Sequence, residues 1–409
     1  MEQIMKRILI DGRFIGVGDS IGRYVLELLR EILKIDQENQ YTLLIRPEGR
    51  KAIFDHFSNA EILNDQLMKN GKCEMKNSKS ANLQIQVLDI PHYTFAEQTQ
   101  LLKYLNEKQF DLVHFSQFNH PIRYKGRFVT TIHDLILLEK LSVRNLPKQL
   151  AFRKAMADAV CRSKKVIAIS EYVKRAIVDN FDVFADKIRV IYHGMDHTMF
   201  NLESKAKSQK LKDFKEANKI EGDYLLYTGA WKKHKNLKRL FEAFEEVKSR
   251  KLKAESIQLV LVGKIDHNEP GILAEIDRIN NEAMKQFRNV AIIPVGAKYG
   301  EELAIAYAGA LVYVIPSLAE GFGWPPLEAM ACGTPVVASN ASVIPEILGD
   351  AAHYFDPLNT EDIAKAIEKI VTDKSLYQEL IQRGLARADR YHWEKAAVET
   401  LSIYRESLG

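Results

Sequence analysis

Short, almost wholly apolar runs alternate along this chain with longer stretches in which apolar residues recur every three to four positions. The first run, Arg7 to Asp11 (RILID), predicts a buried strand. A Gly-rich loop follows over 12–22, and YVLELLREILK predicts an amphipathic helix beginning near Ile21. Further strand-like runs are YTLLI (41–45), LQIQVLDI (83–90), DLVHF (111–115), FVTTIHD (128–134), VIAIS (166–170) and KIRVIYHG (187–194). The pattern then breaks. Residues 201–220 are polar and Lys-rich, without an aliphatic run, and are expected to be a linker and domain boundary, with partial helix allowed. A second series begins with YLLYTGA (224–230). It continues through IQLVLVGK (257–264), VAIIPVG (290–296), ALVYVIPS (310–317), TPVVAS (334–339) and AAHYFD (351–356).

Continuous apolar strands alternating with helices predict α/β architecture, with parallel sheets covered on both faces. The expected organisation is an N-terminal doubly wound domain over 1–200 and a second over 221–389, facing a cleft. Ligands of such sheets bind beyond the carboxyl ends of the strands. The last helix, His392 to Ser407, is amphipathic. It either caps the second domain or, within 390–409, packs back on the first.

Composition narrows the function classes. The chain has 409 residues, 46% hydrophobic and 27% charged, as in ordinary globular proteins. A net charge of +4, from 58 basic and 54 acidic residues, is too balanced for nucleic acid as the main partner. Three separated cysteines, Cys73, Cys161 and Cys332, offer neither a disulfide framework nor a zinc spacing. With no signal-peptide pattern and no apolar stretch near the roughly 20 residues of a membrane span, a cytoplasmic location is expected.

The most informative segment is ALVYVIPSLAEGFGWPPLEAMACGTPVVAS (310–339). A buried strand ends at Pro316-Ser317, and a loop carries Glu320-Gly321-Phe322-Gly323. Pro325 and Pro326 then stand where a helix can begin, and Gly333 is placed to end it. Gly321 and Gly323 let backbone approach a ligand closely. Amides at the helix start suit an anion or sugar hydroxyls. Glu320 and Glu328 place two carboxylates near one mouth, able to bind two hydroxyl-bearing parts of one ligand. Two unrelated surface charges are the plainer alternative.

Glu320 to Glu328 resembles the Glu-x7-Glu signature of retaining GT-B glycosyltransferases of family 4, in the setting PS-x2-EGFG-x-P-x-LEAMA-x-G-x-PVVAS. The likeness extends through the N-terminal loop, the THD segment, YHGMD and the final Trp-bearing helix. It implies a GT-B fold of two Rossmann-like domains. It also implies that Glu320 contacts the donor sugar, that Glu328 holds the ribose, and that Gly321, Phe322 and Gly323 line the same site. Lys235, in TGAWKKHKNL, matches the lysine that holds the donor diphosphate. The arginine that often follows the strand's glycine is replaced by Ala230, with Lys232, Lys233 or His234 as possible substitutes. Gly18 and Ser20 lie in FIGVGDSIGRY, which resembles the loop that closes over the donor phosphate or receives the acceptor; a plain turn is the other reading. His133, ending TTIHDL, is implied to lie beside the donor sugar, against the alternative of a buried histidine bonded to backbone. His114 and His193 read as structural.

The chain has no Asp-x-Asp pair, so no essential metal and no cofactor are expected. The nucleotide sugar is a substrate. The lysine loop and the GRY of the first loop look most like bacterial surface-polysaccharide mannosyltransferases. GDP-mannose is then the leading donor, with a UDP-hexose or UDP-N-acetylhexosamine next. The acceptor is expected to be a saccharide or lipid-linked saccharide. The basic run 140–165 is either a solvated helix face or a peripheral contact with anionic membrane. A phosphorylase, an epimerase and a silent nucleotide-sugar-binding scaffold remain rivals.

Overall fold

The computed structural model describes residues 5–16, 20–57, 72–74, 82–136, 146–203, 208–250, 257–264, 271–287 and 290–409. The chain divides into two compact units. One comprises Met1–Gly194 with His392–Gly409, and the other Met195–Tyr391. The division thus falls at Gly194, not inside 201–220. Within that polar stretch Ser208–Ala217 is a helix of the second unit, with Phe214 buried on it. Its apolar content is too sparse to announce a helix by periodicity.

The first unit holds an eight-stranded sheet of order β3-β4-β2-β1-β5-β6-β7-β8. The strands are β1 (Arg7–Asp11), β2 (Gln40–Ile45), β3 (Lys72–Glu74), β4 (Leu83–Val87), β5 (Leu112–Phe115), β6 (Phe128–Ile132), β7 (Val166–Ala168) and β8 (Ile188–Val190). All pair in parallel except β3, which joins β4 antiparallel at the edge. β3 is three residues long and has no alternating apolar pattern, so the sequence did not announce it. The first helix, Ser20–Ile35, buries Ile21, Val25, Leu28, Leu29 and Ile32, an i, i+4, i+7 stripe. The C-terminal helix, Trp393–Leu408, belongs to this unit and packs on the first helix. Its start lies so close to Gly194 that a Cβ there would run into the backbone nitrogen of Trp393.

The second unit holds six parallel strands of order β11-β10-β9-β12-β13-β14. They are β9 (Tyr224–Thr228), β10 (Gln258–Val262), β11 (Ile292–Gly296), β12 (Val312–Ile315), β13 (Val336–Ser339) and β14 (Ala352–Phe355). β9, β10, β12 and β13 are buried along their whole length, which is why they read as unbroken apolar runs. In both units the order reverses beside the first strand, between β1 and β5 and between β9 and β12. These are the topological switch points where such sheets open a crevice. Among the described residues, no helix is long and apolar enough to cross a membrane.

Candidate active site

In the second unit, Lys235 and Glu320 leave the sheet from the two strands that flank the switch point. After β9 the chain makes a single 3-10 turn, Lys233–Lys235, and enters the helix Leu237–Ser249 through Asn236 at φ +59°. Asn236 is buried, and its Nδ2 donates to the carbonyls of Pro316, 3.1 Å, and Pro357, 2.7 Å. The amide of Leu318 donates to the carbonyl of His234 at 2.8 Å. These bonds hold the lysine turn against the loops that follow β12 and β14. Lys235 Nζ lies 2.6 and 2.7 Å from the two carboxylate oxygens of Glu320. Glu320 is fixed in turn by Ser342, whose hydroxyl accepts from its amide, 3.1 Å, and donates to its carbonyl, 3.0 Å.

The helix Trp324–Ala331 starts from Gly323 at φ +104°, a conformation that favours glycine, with prolines in its first turn. Gly321 is half-buried on the same loop. Phe322 is buried, with its ring edge-on to Trp324 and Tyr391, so its side chain is packing for this loop. Glu328, on the helix, is 2% exposed. It accepts from Tyr307 Oη at 2.9 Å, and Tyr307 lies 2.9 Å from the Thr228 hydroxyl. A phenol has a single proton, which this one donates to Glu328, so Thr228 donates to Tyr307. Tyr313 in turn lies 3.2 Å from Thr228 Oγ1. Burial first, and then the Glu328 carboxylate, push the Tyr307 phenol well above its ordinary range, which keeps that proton in place. The relay Tyr313–Thr228–Tyr307 thus ends on one oxygen of Glu328. The sequence reading missed it. Its only sequence signal is two tyrosines, at 307 and 313, in otherwise aliphatic buried stretches.

His234 is poorly suited to supply the cation that is missing at Ala230. Burial, with Lys235 beside it, lowers its pKa to about 4, so it is neutral near pH 7. Lys232 and Lys233 are exposed on the same turn.

In the first unit, His133 follows β6. Its ring is buried, and Nε2 donates to the carbonyl of Ser116 at 2.9 Å, which places the proton on that nitrogen. It shares a cluster with Tyr24, 4.9 Å between ring centres, and His193, 5.4 Å. His114 bridges the sheet to the C-terminal helix, with Nδ1 at 2.6 Å from Tyr404 Oη and Nε2 at 2.8 Å from Thr131 Oγ1. Ser20 is exposed at the start of the first helix, and Gly18 lies outside the described residues. At the end of β1, Arg13 is fully buried between Asp11, 2.7 Å, and Glu97, 3.0 Å. The sequence reading did not identify this triad. In the basic run, residues 140 and 144 lie outside the described residues. Arg162 bonds the carbonyls of Ile122 and Tyr124, Arg153 that of Asn180 and Lys165 that of Asp186. Arg153, Lys154, Arg162 and Lys164 are nonetheless exposed.

Known proteins resemble both units. Residues 21–198 match the family Glycosyltransferase Family 4, and residues 208–387 match Glycosyl transferases group 1. The O-antigen chain mannosyltransferase B of Escherichia coli is 26% identical over 94% of this chain and 96% of its own. The O-antigen chain mannosyltransferase RfbU of Salmonella typhimurium is 27% identical over 84% of each. Among solved structures, Anabaena HepE in complex with UDP and glucose superposes with a TM-score of 0.71 at 15% identity. The match covers 98% of this chain and 99% of that one. A sucrose-phosphate synthase from Thermosynechococcus elongatus gives 0.71 at 20% identity over 98% of each. The fold is GT-B, and the chain belongs to the family 4, group 1 glycosyltransferases.

Proposed function

We propose that this enzyme transfers mannose from GDP-mannose to a saccharide or lipid-linked saccharide acceptor in surface-polysaccharide synthesis, with retention at the anomeric carbon. The observation that carries the reading is the meeting of Lys235 and Glu320 at the switch point of the second sheet, with Glu328 buried on the adjoining helix. The names of the relatives from Escherichia coli and Salmonella support mannose as the sugar. Lys235 neutralises the departing diphosphate, a charge-assisted contact of about 1.5–3 kcal/mol. Glu320 orients the sugar and Glu328 holds the ribose. The acceptor oxygen bonds the anomeric carbon on the face from which the diphosphate leaves. The bond between the anomeric carbon and the phosphate oxygen breaks, and the hydroxyl proton passes to the departing diphosphate.

No divalent ion is required in this scheme. Activity that vanishes in EDTA and returns with magnesium or manganese would refute that part. Three cysteines, odd in number and far apart in the chain, support a reducing, cytoplasmic setting. The central test is a thermal-shift titration with GDP, UDP and ADP, because a ligand that binds only the folded chain raises its melting temperature. GDP is expected to shift it most. A shift by UDP alone replaces the donor, and no shift by any of the three sinks the reading.

A further inference from the structure

The loop between β4 and the helical segment that starts at Glu97 displays two aromatic rings on an unusually firm base. Tyr93 is 44% exposed and Phe95 81%. Tyr93 holds φ +60°, a region that bulky residues enter only when their surroundings force them. Its ring rests edge-on against Phe152, 5.1 Å between centres, and beside Phe118 at 5.9 Å. The loop is pinned from both ends. Thr94 Oγ1 donates to the Pro91 carbonyl at 2.9 Å, and His92 stacks on Phe14 with ring centres 3.6 Å apart. Immediately after the loop, Glu97 is held by Arg13 and by Asn119 Nδ2 at 2.7 Å. Gln98 Nε2 donates to the His120 carbonyl at 2.9 Å, and Gln98 Oε1 accepts from the amide of Ile122 at 2.9 Å. A loop fixed this thoroughly still leaves the Phe95 ring almost wholly, and the Tyr93 ring partly, in water, where apolar surface forgoes burial.

Two buried polar atoms next to this loop lack partners. Asn119 is 3% exposed, and its Oδ1 has no hydrogen bond. Glu97 can only accept, so Asn119 must turn its NH2 to it, and the unpartnered atom is an acceptor. His92 Nε2 is likewise buried and unpartnered. Its ring is neutral near pH 7, because burial lowers its pKa to about 4. Its Nδ1 accepts from Asn119 Nδ2 at 3.3 Å, so the ring proton sits on Nε2, a donor that a hydroxyl oxygen can satisfy. Exposed aromatic faces beside unsatisfied hydroxyl-matching groups are the chemistry of a carbohydrate subsite. The loop stands at the carboxyl end of the first sheet, and Arg13 ties it to the end of β1.

We propose that Tyr93 and Phe95, with the adjoining Asn119 and His92, form a subsite for the acceptor saccharide. The inference rests on the glycosyltransferase reading above. It is tested on the full chain in the presence of GDP, with α-linked mannotriose as the probe and saturation-transfer NMR as the readout. The native chain is expected to transfer saturation to the saccharide. Phe95→Ala and Tyr93→Ala should each weaken its binding at least about tenfold, while Tyr93→Phe retains it. The GDP-induced thermal shift should be the same in all. Phe95 is the most exposed of these side chains, so its replacement keeps the test valid even if Tyr93→Ala misfolds. No mannotriose binding by the native chain, or unchanged binding in the alanine variants, overturns the proposal. So does a Phe95→Ala variant that loses only its affinity for phosphatidylglycerol vesicles. Mannotriose binding without any nucleotide binding would instead leave this subsite standing and sink the donor reading.

Discussion

Lys235 and Glu320 are bound to each other, with Nζ within 2.7 Å of both carboxylate oxygens. Their side chains are 18% and 15% exposed, so the pair is partly shielded from water. In the proposed donor complex they part, the lysine to the diphosphate and the glutamate to the sugar. The pair therefore competes with the diphosphate for the lysine. Glu320→Gln removes the competitor and keeps the shape. It should raise affinity for GDP about threefold to tenfold, the equivalent of about 1 kcal/mol for a modest ion pair, while turnover collapses. Calorimetric titration beside steady-state kinetics reads both quantities. A Gln variant that binds GDP more weakly would mean that Glu320 itself touches the nucleotide.

Glu328 depends on Tyr307 in a different way. The phenol gives its only proton to the carboxylate and is itself held by Thr228. Tyr307→Phe removes that oxygen without opening a large cavity. The expected result is GDP affinity reduced about tenfold with little change in kcat at saturating donor. The stability cost should be about 1–3 kcal/mol, for a buried carboxylate that loses one partner. Glu328→Ala should abolish tight GDP binding in either background, so the double variant separates positioning from mere support. If Tyr307→Phe lowered stability and left GDP affinity intact, the relay would be structural only.

Much of the candidate site is legible in the sequence because its residues sit in local, patterned segments. The strand, the EGFG loop, the two prolines and the helix that carry Glu320 and Glu328 are contiguous, and every piece has its own sequence signal. The Lys235–Glu320 contact joins residues 85 apart, and it follows from the strand order, which no short pattern states. The Tyr307–Glu328 bond and the Arg13–Glu97 bridge are of the same kind. Each is a long-range pairing of residues that look ordinary in their own segments. The 208–217 helix lies in the stretch expected to be partly helical, but its polar surface carries too little periodicity to mark its bounds.

Asn236 shows how a local signal can carry a distant task. It tolerates φ +59° better than most residues with a Cβ, and its Nδ2 joins the carbonyls of Pro316 and Pro357. Asn236→Ala keeps the positive φ and loses both bonds, so it should cost about 2–4 kcal/mol. Asn236→Gly relaxes the backbone and still loses the bonds. If the amide's purpose is to place Lys235, both variants should raise donor KM several-fold, and the glycine variant should be the more stable of the two in urea. Equal donor KM in both variants and the native chain would confine Asn236 to folding.

Acid should unfold the first unit through its buried histidines. Burial lowers His114 to about 3 and His92 to about 4, and His193 is also shifted down. A folded-state pKa below the unfolded value means that the unfolded chain binds more protons between the two. The stabilisation is therefore fully present above about pH 6.5 and is lost as pH falls toward 4. His114 is the sharpest case, because each ring nitrogen already has a hydroxyl partner, Tyr404 on the C-terminal helix and Thr131 on the sheet. A second ring proton would force one of those hydroxyls to turn its proton away. Melting temperatures taken from pH 7.5 to 4.5 should fall steeply below about 6.5. In His114→Gln the starting value should be lower and the fall shallower, since the amide offers a donor and an acceptor but does not titrate in this range. An equally steep fall in that variant would assign the acid sensitivity to other groups.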